Sequence, residues 1–191
     1  MRRCKNQDCR IEIPRAAKCT DFISKKGFCG IDCATAWGQK AVITKREREY
    51  RKSSAEARDR LKTRSDWVKE AQIAFNAYVR ERDKGKPCIS CGNNTGAKMN
   101  AGHYRTTKAA PNLRFNLQNC HIQCEHCNSW LSGNLIAYRQ ALLSRFGSQH
   151  VEWLESQNET RRYDIDYLKR LKAVFIKRKK HLERVRLCKT Q

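Results

Sequence analysis

Two cysteine pairs of identical spacing, Cys88/Cys91 and Cys124/Cys127, lie 36 residues apart and constrain this chain more than any other feature. Each Cys-x-x-Cys turn aims two sulfurs at one point. Two such turns supply the four soft ligands that a closed tetrahedral zinc site takes. The chain between them must therefore leave and return to the same place. Gly92 permits the tight bend after the first pair. The enclosed segment has room for a strand from Asn100 to Thr106, a polar loop from Thr107 to Asn112 and a second strand around Phe115 to His121. A helix can start near Asn128. Knuckle, strand, loop, strand, knuckle, helix is the order of a ββα finger stapled by zinc. A zinc wholly ligated by sulfur is structural and leaves no open position for chemistry.

A second set of cysteines lies at the N-terminus: Cys4 and Cys9, then Cys29 and Cys33. A turn closing on two sulfurs, a short β segment from Cys9 to Pro14 and a second turn opening into a helix are the build of a zinc ribbon or treble clef. About two zinc ions per chain are expected on this ligand count. Cys19 falls mid-loop, outside the set, and Cys120 and Cys188 read as ordinary thiols. No apolar run follows Met1, Arg2 and Arg3, so a secretory leader is not expected. A reducing interior, the cytoplasm of a bacterial host, is the expected setting, and there clustered cysteines favour metal over disulfides.

Charge points to the partner. Lys and Arg number 41 against 19 Asp and Glu, a formal charge of +22. Such a surface concentrates polyanions, and nucleic acid is the expected ligand, held largely by phosphate neutralisation. No stretch of 18 apolar residues is present, so no membrane span is expected.

The remaining sequence reads as helix, making the fold class α+β and mainly helical: a zinc-stapled ββα, treble-clef-like core with long basic helices and an N-terminal zinc finger. Four regions are expected: a finger over 1–39, a basic helical connector over 40–86, the core over 87–147 and a basic helical region over 148–191. The first half of the connector is polar all round, with charge pairs such as Glu56 and Arg60 at helical spacing. In the second half Trp67, Ala71, Phe75 and Tyr78 make an apolar stripe, and Ser65 is the expected N-cap. Helices are expected from Ser132 to Phe146, from Ser148 to Glu155 and from Asp164 to Leu187, the last with a stripe of Ile165, Leu168, Leu171, Phe175 and Leu182 that suits a core or a homodimer contact.

The core also carries His103 before the loop, Asn119 five residues before the second cysteine pair and Asn128 directly after it. This pattern resembles the HNH (His-Me finger) endonucleases. The fuller run of AGHYRT, LRFN, HIQCEHCN and SGN, with the N-terminal cysteines and basic helix, resembles the phage NinG/Rap recombination family over nearly the whole chain. The resemblance implies cleavage of branched DNA such as Holliday junctions and D-loops. It also implies that Asn119 fixes the hairpin and orients the base. Hydrolysis of a phosphodiester needs a base for water, and the neutral imidazole of His103 suits that role. Asn128 would offer an oxygen to a catalytic magnesium or manganese ion. Many HNH enzymes place a metal ligand immediately before the base, where this chain has Gly102; His121 and Asn134 are the candidates for the missing ligand, and His103 itself could bind metal. Arg105, Lys108, Arg114 and Arg139 are expected to hold phosphates. Two cuts across a two-fold junction suit a homodimer. The alternatives are a non-catalytic zinc-containing DNA-binding recombination mediator and an RNA-associated factor.

Overall fold

The computed structural model describes residues 1–13, 22–94, 96 and 98–189. Pro14, Arg15, Lys18 and Cys19 lie outside the described residues. The chain is α+β and mainly helical, and it divides into two compact units, Met1–Leu61 and Lys62–Gln191. The boundary between them falls inside the expected 40–86 connector.

The first unit pairs β1 (Arg2–Arg3) antiparallel with β2 (Glu12–Ile13), followed by α1 (Phe22–Lys26) and α2 (Ile31–Leu61). Among the described residues its buried hydrophobic side chains are Cys4, Ile13 and Phe28. Gly27 turns the chain at φ 97°, and its carbonyl accepts from Lys5 N at 2.8 Å. No residue of α2 is buried, and charge pairs such as Lys45 with Glu49 and Lys52 with Glu56 run along it. A helix polar on every side gains little from packing and rests on propensity and such pairs.

The second unit is built on α3 (Arg64–Arg82) and α6 (Ile165–Lys189). Thr63, not Ser65, caps α3: Asp66 N donates to the Thr63 hydroxyl at 3.3 Å, and Thr63 N donates to the Asp66 carboxylate at 3.0 Å. Only Thr63 places an acid at the third helical position, so the reciprocal capping box selects it. Trp67, Ala71, Phe75 and Val79 bury one face of α3. Leu168 and Phe175 of α6 are buried in the same clusters, with Leu171 partly buried beside them. The α6 stripe therefore belongs to the core of this unit.

Against α3 packs the hairpin of β3 (Met99–His103) and β4 (Cys120–Cys124), in the register Gly102 with His121 and His103 with Cys120. β4 begins later than the sequence suggests. A 3-10 turn at Pro111–Leu113 and the contact of Gln118 N with Asn116 Oδ1 at 2.8 Å commit residues 111–119 to turns. A π-helical turn, His126–Trp130, stands where a regular helix was expected after Cys127. α4 (Leu135–Phe146) and α5 (Ser148–Ser156) then cover the other side of the hairpin through Tyr138, Leu142, Val151 and Leu154, with Ile89 and Tyr104.

Candidate metal centres and the hairpin site

Both cysteine sets assemble as expected. The sulfurs of Cys4, Cys9, Cys29 and Cys33 lie within 4.8 Å of one another, and so do those of Cys88, Cys91, Cys124 and Cys127. Cys9 to Cys29 is 3.5 Å, Cys29 to Cys33 is 3.4 Å and Cys91 to Cys124 is 3.7 Å. Zn–S bonds of about 2.3 Å in a tetrahedron put sulfurs about 3.8 Å apart. Each set could hold one zinc. The thiols perturb one another: neighbouring Cys33 and Cys9 push Cys29 up to about 12. Burial alone would raise Cys88, but the backbone N–H groups of Cys91, Cys124 and Ser90 outweigh it and bring that thiol to about 7. Among the described residues no other group of three or more His, Cys, Asp or Glu side chains could hold a metal.

The hairpin separates the other candidates by face. Paired residues of an antiparallel ladder share a face and their neighbours take the opposite one. His103 stands beside Cys120, with Nδ1 to Sγ at 3.6 Å, and its ring lies 5.7 Å from that of Phe75. Its Nε2 is 2.9 Å from the carbonyl oxygen of Arg114 and must donate there, which leaves Nδ1 as the acceptor. Burial lowers the His103 pKa, so the ring is neutral near pH 7. Cys120 is pushed well up by the same cause and stays a thiol, a poor donor.

His121 lies on the opposite face. Tyr138 donates to Gly102 O at 3.0 Å, so the 3.1 Å contact between its hydroxyl and His121 Nδ1 must run from the imidazole. His121 and His103 therefore do not meet at one ion. The position before His103 is closed as well. A Cβ on Gly102 would collide with the side-chain oxygen of Gln123, which is buried without a hydrogen-bond partner, while Gln123 Nε2 donates to Ser90 Oγ at 2.7 Å and to Gly133 O. Asn134 Nδ2 turns to Cys127 Sγ at 3.4 Å, a tie to the cysteine set. Asn128 is half-buried, and its side chain meets Ser129 Oγ at 3.4 Å. Among the described residues His103 belongs to no group of three or more His, Cys, Asp or Glu side chains that could hold a metal. A hard cation such as magnesium prefers oxygen ligands, and these residues do not assemble a site for one.

Asn119 is completely buried and clamps the loop: its Oδ1 accepts from Arg105 N at 2.8 Å and its Nδ2 donates to Arg105 O at 2.9 Å. The four cationic side chains differ. Arg139 pairs with Glu155 at 2.8 Å, and Glu155 also accepts from the Tyr104 hydroxyl. Arg105 donates to Asn158 at 2.7 Å, and Arg114 reaches Gln72 at 3.4 Å. Lys108 is exposed. Sequence reasoning did not single out Gln123, Tyr138 or Glu155. An isolated Tyr or Gln carries no local signal of a partner many residues away.

The sequence profile described as Bacteriophage Lambda NinG protein matches residues 1–185. Protein ninG of Escherichia phage lambda is 42% identical over 203 residues, covering 97% of this chain and 95% of that protein. Protein ninG of Salmonella phage P22 is 40% identical over 199 residues, covering 95% and 93%. Protein ninG of Escherichia phage 933W is 48% identical over 126 residues, covering 66% and 63%. No solved structure matches. The length of these matches, across both cysteine sets, places the chain in the bacteriophage lambda NinG family.

Proposed function

We propose that this chain is a structure-specific DNA endonuclease that cuts branched recombination intermediates, Holliday junctions and D-loops, during phage recombination. The observation that carries the reading is the state of His103. It ends a strand tethered by the second cysteine set and is neutral near pH 7, with Nε2–H fixed on Arg114 O and Nδ1 left as the proton acceptor. An imidazole with one nitrogen fixed on a backbone carbonyl is set to take a proton with the other. In hydrolysis, water attacks phosphorus and gives its proton to His103 Nδ1, the P–O bond to the leaving group breaks, and the leaving oxygen takes a proton from solvent water, with His103 later returning its own proton to solvent. Asn119 keeps the loop beyond His103 in place through its paired bonds to Arg105. A charge of +22 supplies backbone binding without base readout. A homodimer would give a two-fold junction two sites.

A second reading, a zinc-containing recombination mediator that binds DNA without cutting, is favoured by Gly102, whose neighbour space Gln123 fills. The deciding experiment incubates the protein with labelled four-way junction, D-loop, linear duplex and RNA, each with magnesium, manganese or chelator. Cutting confined to branched DNA, lost in His103→Ala with binding retained, is expected. Binding without cutting under every metal condition overturns the endonuclease reading. Sedimentation of the protein on junction DNA checks for two copies.

A further inference from the structure

On the face of the hairpin away from His103, four aromatic rings stand in a row. His121 and Phe146 have ring centroids 5.6 Å apart, Phe146 and His150 5.0 Å, and His150 and Trp153 6.4 Å. Gly147, at φ 84°, turns the chain between α4 and α5 and so brings Phe146 near His150. Two of these rings are open to solvent: Phe146 is 49% exposed and Trp153 42%. Phe146 and His121 also form walls of a cavity of about 330 Å³ that Lys86, Gln118 and Arg145 help to line.

The polar atoms around this row have capacity to spare. His121 donates through Nδ1, so Nε2 carries a lone pair. His150 Nε2 is buried without a hydrogen-bond partner. Asp83, the acid in the cavity wall, is held by Arg82 and Lys86, whereas Arg145 makes no ion pair among the described residues. Stacked rings edged by cations and unsatisfied ring nitrogens suit a flat, polar-edged, anionic ligand. An apolar helix would leave those nitrogens unpaired.

We propose that this row and the cavity at its His121 end dock unpaired nucleotides, one base stacked on Phe146 with its phosphate against Arg145 and a neighbouring base on Trp153. This deepens the reading above, because a D-loop or an opened junction offers such bases; it rests on that reading only for DNA being the natural source. Base stacking on an aromatic side chain contributes about 1–3 kcal/mol by alanine substitution, roughly tenfold in affinity or more.

The test uses full-length, zinc-loaded protein and tryptophan fluorescence, with oligo(dT), oligo(rU) and linear duplex as probes. Oligo(dT) is expected to quench. Trp153→Phe should keep affinity within about twofold, since a ring remains, yet lose most of the quench, while Trp130→Phe keeps it. Phe146→Ala should bind oligo(dT) about tenfold more weakly and duplex unchanged. Tighter binding of oligo(rU) than oligo(dT) would make RNA the source of the nucleotide and overturn the assignment to DNA. Quenching that survives Trp153→Phe but disappears in Trp130→Phe, which is 79% exposed, overturns the site. So does an equal loss of duplex and single-strand binding in Phe146→Ala. Junction cutting without oligo(dT) quenching refutes this site alone, and quenching without cutting refutes the endonuclease alone.

Discussion

The two cysteine sets look alike and stand in unlike surroundings. The first brings together Cys4, Cys9, Cys29 and Cys33 in a unit whose buried hydrophobic residues, among those described, are Cys4, Ile13 and Phe28. The second brings together Cys88, Cys91, Cys124 and Cys127 beside three hydrophobic clusters anchored by Phe75, Trp67 and Tyr138. A small unit with little to bury needs a staple to fold at all. A unit with its own core needs one only locally. Equal ligand sets therefore do unequal work.

Metal removal should break this comparison most visibly. Structural zinc contributes about 10–16 kcal/mol of apparent binding energy in small fingers, far more than three buried residues supply. A strong chelator, or Cys9→Ser, is expected to unfold residues 1–13 and 22–30, seen as complete loss of amide-exchange protection there. Cys91→Ser should release the second zinc and loosen the hairpin, with protection kept in α3 and α6. Simultaneous loss of α3 and α6 would mean that the second unit also depends on its metal.

Within the second unit the core can be tested directly. Phe75 is fully buried and meets Phe115 at 5.9 Å and Phe175 at 5.1 Å, both edge-on. Phe75→Ala should cost about 3–5 kcal/mol in urea unfolding of this unit, with the zinc content of the first set unchanged.

Acid should separate the two units as well. Burial, with Arg82 adding to it, pushes the His121 pKa down to about 4. An unfolded imidazole takes its proton near 6.5. Between these values the unfolded chain binds more protons, so stability falls as pH drops from about 6.5 to about 4 and is flat above. The gap corresponds to about 3 kcal/mol for this one group. His103, also lowered, adds in the same direction. His121→Gln should flatten this part of the profile in the second unit; an unchanged slope would show that His121 is not buried neutral. The first unit, residues 1–61, contains no histidine, so no imidazole can give it such a slope.

The fold was legible where the sequence encodes its own partners. Cysteine spacing names four ligands at once, and the α3 stripe names its buried face. The strand β4 was less legible, because Asn116 and Asn119 spend residues 115–119 on turns and clamps. The face of His121 was not legible at all: a register shift of one residue sends every side chain to the other side, and composition does not fix register. Gly102 could be seen as a missing ligand, but the filling of its space by Gln123 is a tertiary fact. His103, Asn119 and Asn128 could be picked by spacing from the cysteines. The partner of His103 could not, since Arg114 O reaches it from a turn, nor could the tie of Tyr138 to Gly102, which comes from a later helix.

The smallest expected effect sits where the units meet in sequence. Glu56 and Arg60 invite reading one unbroken helix, yet α2 ends at Leu61 and α3 starts at Arg64. Thr63 accepts from Asp66 N and is itself held by the Asp66 carboxylate, whose pKa the Thr63 hydroxyl and backbone N–H lower. Without that box, nothing in the local propensity of Lys62 and Arg64 forces a break, because both are good helix formers. Thr63→Ala should cost the second unit about 1 kcal/mol and leave the first untouched. Asp66→Asn should recover part of that box, since an amide oxygen still accepts from Thr63 N. If Thr63→Ala instead lowered protection in both units together, the cap would not mark the boundary, and α2 and α3 would belong to one cooperative element.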